Sequence, residues 1–393
     1  MSRKLASVVE IATCDPIPDT DRLSVATMVG KGWKIVTGRD EYKPGDRAVY
    51  FEIDSYLPAD DPRYEFLRER CLRKFVSKSG QVLKEGLKIK TCKLRGVISQ
   101  GLLMPIDQFK EITDRITSDD KGVYLKRDPE SEGMDITLEP LVGADVTKIL
   151  KVEHYDEVAE ALRPASGGNP VSADAMGKFP SEFIPKTDEE RIQNLGDYFE
   201  KMKGRAFEVT EKNDGSSVTV FLSAEVDPEN PFGVCSRNLR LKPKMESGAT
   251  PVPWQVAEKY GLREKLAKAN AMSHTELAFQ GELVGPGVNG NRDLYTEFEW
   301  HVFRIWDIKN QWFLMPGHAQ DLCEDLGIPY VPVVNKFMKV FDEITSMDEM
   351  LKFAEGKTAR GHEREGLVFK SCDDGPFVSF KAVSNRYLLK QKD

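Results

Sequence analysis

No stretch of the 393 residues comes near the run of about 18 apolar residues that a membrane-crossing helix needs. The opening segment MSRKLASVVEIATCDPIP has no long apolar core of the kind that marks a secretion signal. The six cysteines (Cys14, Cys71, Cys92, Cys235, Cys323 and Cys372) form no Cys-x-x-Cys pair, and the five histidines form no His-x-x-x-His. A structural zinc site and a disulfide framework are therefore not expected, and a reducing, cytoplasmic compartment is. Gly177-Lys178 is not a phosphate-binding P-loop, because Ser172 stands where the earlier glycine belongs and Phe179 where a Ser or Thr belongs. No fixed-period repeat is visible. Asp and Glu (64) outnumber Lys and Arg (56), giving a net charge of −8, but local charge decides nucleic-acid binding.

The remaining composition, 40% hydrophobic and 31% charged, is that of a globular chain long enough for two domains. Residues 1–160 read mostly as short strands. Trp33-Lys34-Ile35-Val36-Thr37 ends at a glycine, Lys43-Pro44-Gly45-Asp46 is a turn, and Arg47–Ile53 resumes as a strand. Such strands predict a small barrel of a type that holds nucleic-acid strands. Between Arg68 and Arg95 ten basic residues meet only Glu69 and Glu85. Arg73, Lys74, Lys88, Lys90, Lys93 and Arg95 are the candidate nucleic-acid contacts in it. Residues 161–179 are small and rich in Pro and Gly and read as a linker. Residues 180–393 alternate strand-like and helical stretches without regular βαβ order, an α+β pattern with an antiparallel sheet. Thr187 with Glu190 predicts a capped helix start. Further helices are expected around Trp254–Ala269 and Ser346–Glu355.

Five segments of the second region stand in one order. They are Glu211-Lys212-Asn213-Asp214-Gly215, Cys235-Ser236-Arg237, Gln280-Gly281-Glu282, Phe303-Arg304-Ile305-Trp306-Asp307, and Glu365-Gly366-Leu367-Val368-Phe369-Lys370 followed by Ser379-Phe380-Lys381. Lys-x-Asp-Gly alone is ordinary turn chemistry. The set in this order resembles the covalent nucleotidyltransferases, the superfamily of polynucleotide ligases and capping enzymes. A barrel placed first, with the chain ending soon after Lys381, resembles the ATP-dependent RNA ligases of the Deinococcus type. The tracts Pro185–Asn194 and Lys381–Tyr387 add to that likeness.

The resemblance implies an N-terminal OB-like β-barrel (1–160), a linker (161–179) and an antiparallel-sheet, ATP-grasp-like adenylyltransferase domain (180–393). It implies ATP as AMP donor, Mg²⁺ or Mn²⁺, and RNA with a 3′-OH end beside a 5′-phosphate strand, with a template strand, on a monomeric enzyme. By that resemblance Lys212 is expected to be the nucleophile that becomes lysyl-AMP, with Lys370 and Lys381 serving the α-phosphate. Glu211, Asn213, Ser217, Arg237, Glu282 and Phe303 are expected to bind the nucleotide, and Glu365 and Asp214 to face the metal. The chain departs from the family pattern at Ser379, where such ligases often have a second lysine, so either Lys381 acts alone or Lys370 compensates. A free lysine, with pKa near 10.4, must lose its proton to attack, and a neighbouring cation is expected to lower that pKa. The alternatives are another covalent nucleotidyltransferase (a DNA ligase or a capping guanylyltransferase) and a non-enzymatic OB-type RNA-binding protein.

Overall fold

The computed structural model describes residues 3–128, 136–162 and 175–390. The chain divides into two compact units, 1–170 and 171–393.

The first unit is built on a five-stranded antiparallel sheet in the order Leu102–Pro105, Arg47–Phe51, Ala6–Pro16, Leu23–Met28, Lys31–Gly38. The long strand Ala6–Pro16 pairs through Ala6–Glu10 with one neighbour and through Ile11–Pro16 with the other, with a register shift between Ile11 and Thr13. A bulge of this kind bends a strand and lets one sheet curl on itself. The Thr91–Leu94 and Val97–Gln100 strands form a hairpin, and its Ser99 Oγ accepts from Val36 N at 3.0 Å on the far strand. Phe51, Tyr64, Phe109 and Leu125 fill the core with Val8, Val49 and Leu57. A second sheet pairs Ser55–Pro58, Val82–Lys88 and Leu72–Val76, the strands that carry much of the basic run.

Two antiparallel sheets make the second unit. The larger has seven strands in the order Ala175–Lys178, Leu239–Leu241, Phe232–Cys235, Ser216–Leu222, Leu277–Val284, Glu299–Asp307, Trp312–Phe313. One of its faces packs Val218, Val220, Phe279, Trp300 and Ile305 against Trp254, Leu262 and Leu266 of the helices Val252–Lys259 and Leu262–Ser273 and Ala319 and Cys323 of Pro316–Leu326. The smaller sheet runs Val333–Met338, Phe207–Glu211, Gly366–Ser371, Ser379–Val383. Side chains alternate across a strand, so Phe207, Val209, Leu367, Phe369, Phe380 and Ala382 enter one aromatic core with Phe341 and Met350. Phe369 and Phe380 stack at 4.6 Å between centroids. The alternate positions, Glu208, Thr210, Val368, Lys370, Ser379 and Lys381, are left for the opposite face.

Two sequence expectations need correction. Ala175–Lys178, within the expected linker 161–179, is an edge strand paired to Leu239–Leu241; residues 163–174 of that linker lie outside the described residues. The segment from Pro185 does not begin a helix at Thr187. Its backbone is spent on another strand: Lys381 N donates to Glu190 O at 2.8 Å and Arg191 bridges Lys381, before a short 3-10 turn at Ile192–Asn194. Local capping chemistry loses there to a tertiary backbone pairing. The helix Met347–Ala354 does carry its capping box, Ser346 with Glu349.

Candidate functional site

Lys212 follows the strand Phe207–Glu211, and its N–H donates to Gly366 O at 3.0 Å, continuing the ladder by one residue. That pairing brings the start of the first motif beside the start of the last. The Lys212 Nζ donates to Glu365 Oε2 at 2.8 Å. Two motif glycines exist because backbone passes where a Cβ would be. A Cβ on Gly215 would lie 2.2 Å from Leu283 O, and one on Gly366 would lie 2.3 Å from Ala382 O. With Gly215 that close to the neighbouring strand, its N–H donates to Glu282 Oε1 at 3.1 Å. Lys212, Asp214, Glu282 and Glu365 thus come from three chain segments of the two sheets into one acidic setting around one ammonium.

The charges follow from that geometry. Burial works to lower the Lys212 pKa, but Glu365, Glu282 and Asp214 outweigh it and hold the ammonium above the ordinary lysine value. Burial pushes Glu282 up to about 7, with Glu365 and Asp214 adding to the shift and Lys212 opposing it. Burial also raises Glu365, again against Lys212. The groups that set the Lys212 pKa are carboxylates, and they raise it where a neighbouring cation was expected to lower it.

Lys370 and Lys381 share one face of the smaller sheet with Glu208, but their circumstances differ. Lys370 stands opposite Glu208 in register and bonds Glu208 Oε1 at 2.9 Å and Tyr330 Oη at 3.3 Å, with its side chain 3% exposed. Tyr330 in turn donates to Glu208 at 3.0 Å. Burial lowers the Lys370 pKa while Glu208 opposes the shift. Ser379 is opposite Lys370, and Lys381 is opposite Val368. Lys381 is half-buried and its charge bears on Glu365.

The other expected residues fall in three groups. Asn213 and Asp214 are buried beside Lys212. Asn213 Nδ2 donates to His301 Nδ1 at 2.8 Å, which makes Nε2 the protonated nitrogen that donates to Glu299 Oε2 at 3.0 Å. Asp214 Oδ1 accepts from Asn289 Nδ2; Oδ2 is buried without a hydrogen bond from the described residues, with Arg292 Nε at 3.7 Å. Ser217 lies opposite Glu282 in register and is half-buried. Phe303, also half-buried, is the bulged residue of its strand, since Gln280 pairs with Arg304 and Gly281 with Val302. Glu211 alternates to the other side of its strand from Lys212, where burial raises its pKa, a bond from the Ala359 N–H opposes that and Arg364 is near. Arg237 is 48% exposed and pairs with Asp188 at 2.9 Å.

In the first unit, Arg73, Lys74 and Lys88 lie on the paired strands Leu72–Val76 and Val82–Lys88, and Lys93 and Arg95 on the Thr91–Gln100 hairpin. Lys93 and Arg95 are exposed. Lys74 pairs with Glu85 at 3.2 Å, and Lys88 is buried with its ammonium 4.0 Å from the Tyr155 ring centroid. Burial, then Arg73 and Lys88, lower the Lys90 pKa, the mark of cations gathered in one place.

Sequence reasoning passed over His301, Asn289 and Arg292, which order the residues next to Lys212, and Tyr330, which orders Lys370. His301 was within reach, since it stands two residues before Phe303 in a strand. Asn289 and Arg292 belong to a loop whose path no local rule gives.

Among the described residues no group of three or more His, Cys, Asp or Glu side chains is arranged to hold a metal ion. Asp214, with one carboxylate oxygen unbonded among the described residues, and Glu365, which accepts from the Lys212 ammonium, fit an ion that takes one or two protein carboxylates and completes its shell with water and phosphate, as Mg²⁺ does.

An OB-fold domain model matches residues 5–106, and an RNA ligase model matches residues 205–384. No curated protein sequence matches the chain. Solved structures do. The Naegleria gruberi RNA ligase with ATP and Mn, in a mutant form, is 32% identical over 100% of both chains with a TM-score of 0.75. A mutant with AMP and Mn is 31% identical over 99% of both at the same score, and the enzyme with PPi is 32% identical over 99% of both, also at 0.75. With similarity of this extent running through both units, the chain belongs to the RNA ligase family, carrying an OB-fold domain ahead of its nucleotidyltransferase domain.

Proposed function

We propose that the protein is an ATP-dependent RNA ligase that seals 3′-OH/5′-phosphate breaks, nicks in a duplex with an RNA 3′-OH strand, through a covalent lysyl-AMP on Lys212 and an AMP-capped 5′ end. The observation that carries this is the Lys212–Glu365 contact at 2.8 Å, which joins the first and last motifs at one point. Likeness to an RNA ligase solved with ATP, AMP, PPi and Mn supports ATP as donor and a divalent cation as cofactor.

The chemistry is three nucleotidyl transfers. In the first, the Lys212 Nζ lone pair forms a P–N bond to the α-phosphorus of ATP while the bond to the bridging oxygen breaks and pyrophosphate leaves. A proton must leave the ammonium first, and the Glu365 carboxylate is within reach to accept it. Glu365 and Asp214 would hold a divalent cation, which would neutralise the phosphate oxygens. Lys381 and Lys370 place positive charge on the face where the α-phosphate charge builds. Phe303 offers a ring face to adenine, Ser217, Glu282 and Arg237 hold ribose and phosphate, and Glu211 and Asn213 fix the loop that carries the nucleophile. The RNA 5′-phosphate then takes AMP from Lys212, and the 3′-hydroxyl displaces AMP in turn.

We assign nucleic-acid contacts to Arg73, Lys74, Lys90, Lys93 and Arg95 of the OB-fold domain (1–160). Lys88, the sixth residue of that set, is buried with its ammonium against the Tyr155 ring. The six free cysteines fit a reducing, cytoplasmic setting, and among the described residues no helix is long and apolar enough to cross a membrane. The proposal takes the working form as a monomer.

Incubation with labelled ATP and Mg²⁺ or Mn²⁺ tests the reading. AMP should remain on the wild-type chain after denaturation and be absent from Lys212→Ala. Label on that variant would refute the assignment.

A further inference from the structure

The turn that carries Lys212 lies against one row of side chains. Ser217, Glu282 and His301 stand opposite one another on three adjacent strands of the larger sheet, so the three share a face. Two of them bond the turn. Glu282 accepts from the Gly215 N–H at 3.1 Å, and His301 Nδ1 takes the Asn213 side chain at 2.8 Å. His301 has no part in the transfer chemistry itself, yet its imidazole is buried and both ring nitrogens are engaged, the second by Glu299 at 3.0 Å. Glu299 stands two residues earlier in the same strand, hence on the same side. The Tyr295 ring meets the imidazole edge to face at 6.0 Å between centroids, and the Arg360 guanidinium lies 4.2 Å from the Tyr295 ring.

A ring held at both nitrogens and along its edge has one orientation, and a carboxylate on one nitrogen decides what the other offers. The turn needs such a fixture. The lysine amine sits on a flexible four-carbon stem, and attack on phosphorus requires it in line with the leaving oxygen. The fold narrows that freedom at the backbone from which the stem springs. The Lys212 N–H is bonded to Gly366 O on the smaller sheet, and the next residue, Asn213, is bonded through its side chain to His301 on the larger. The peptide between residues 212 and 213 is thereby held from both sheets.

We propose that His301 is a positioning residue for Lys212, acting through Asn213, in the transfer of AMP from ATP to the lysine. The proposal rests on the ligase reading and deepens it by naming what holds the amine in line.

Single-turnover AMP labelling over a series of ATP concentrations tests it. His301→Leu keeps the bulk and loses both bonds. The rate constant at saturating ATP should fall by about ten- to a hundredfold, the order expected when a reacting group is misplaced by up to about 1 Å. The ATP concentration giving half the maximal rate should stay within about twofold. Asn213→Ala removes the same contact from the loop side and should lose as much. It leaves the strand untouched, so it keeps the comparison open should His301→Leu fail to fold. The double variant should be no slower than the slower single one, since one interaction is removed once. His301→Gln should recover most of the rate, because its amide oxygen can accept from Asn213 while its N–H donates to Glu299. A full rate in His301→Leu, losses that multiply in the double variant, or a loss seen only in half-saturation would overturn the proposal. Nitrogen NMR of the imidazole needs no turnover. The His301 Nδ1 should report as the unprotonated nitrogen and move in Asn213→Ala; an unmoved signal would reject the contact itself. Absence of AMP labelling in wild type would instead reject the ligase reading.

Discussion

The Lys212 ammonium and the Glu365 carboxylate face each other at 2.8 Å across the ends of two paired strands, so the amine we propose as nucleophile is held in its protonated form. The carboxylates hold the lysine pKa up, and the amine reacts only once the proton is gone. Glu365→Gln should therefore move the acidic limb of the pH profile for self-adenylylation to lower pH. The same change removes a carboxylate proposed to hold the metal, so the rate at the optimum should fall by at least about tenfold. Single-turnover labelling across a pH series reads both effects. An unmoved limb would show that Glu365 does not set the lysine's charge.

Glu282 gives a stability signature of the same acidic cluster. Its folded pKa is pushed up to about 7, above the ordinary carboxylate range of about 4.3. A raised folded pKa means the folded chain holds the proton more tightly than the unfolded one. The stabilisation is fully present below the unfolded value and is lost as pH rises through the folded one. Thermal unfolding of the ligand-free protein should thus show a fall between about pH 4.5 and 7 that Glu282→Gln flattens. At pH 8 the variant should melt higher, because Gln keeps an oxygen for the Gly215 N–H and drops the charge.

How much of this was legible in the sequence depends on the range of the cause. Strands such as Phe207–Glu211, Glu299–Asp307 and Gly366–Ser371 follow from alternation and apolar content, and Ser346 with Glu349 announces its own helix. Motif order singled out Lys212, Glu282 and Glu365, which the fold brings together, and Gly215 and Gly366 are explained by strand contact at 2.2 and 2.3 Å. Thr187 misled because its segment pairs with Lys381, almost 200 residues away, and a local cap cannot report that. Lys370 reads as a free cation in the motif, yet its partner Glu208 belongs to a strand 162 residues earlier. Charge compensation of that kind is a property of register, which the order of motifs does not carry.

That buried pair is open to a double-mutant test. Lys370 and Glu208 have side chains 3% and 2% exposed, so removing the ammonium alone strands a carboxylate in the sheet. Lys370→Met should cost about 3–5 kcal/mol of stability, the usual penalty for an uncompensated buried charge. Adding Glu208→Gln should return most of it, since no unpaired charge then remains. AMP transfer should stay impaired in the double variant if Lys370 serves the α-phosphate. Full recovery of activity along with stability would make Lys370 a structural residue only, leaving Lys381 to act alone beside Ser379.

Arg95 separates stability from binding in the OB-fold domain. The hairpin joining Thr91–Leu94 to Val97–Gln100 turns through two residues, Arg95 at φ 46° and Gly96 at φ 84°. Both central positions of such a turn need the left-handed region, which suits Asn or Gly and penalises an arginine by about 1–2 kcal/mol. Arg95→Gly relieves that strain and should raise the melting temperature of the domain's transition by a few degrees, at the scale of about 1 kcal/mol. The same change removes an exposed cation from the proposed RNA face. Affinity for a nicked duplex should fall, and the slope of log K against log salt should shrink by about one phosphate contact. A protein that melts higher but binds more weakly, with a shallower salt dependence, shows an arginine kept against its backbone preference for its charge. A variant that melts higher and binds equally well would remove Arg95 from the interface and leave Lys93 as the hairpin's contact.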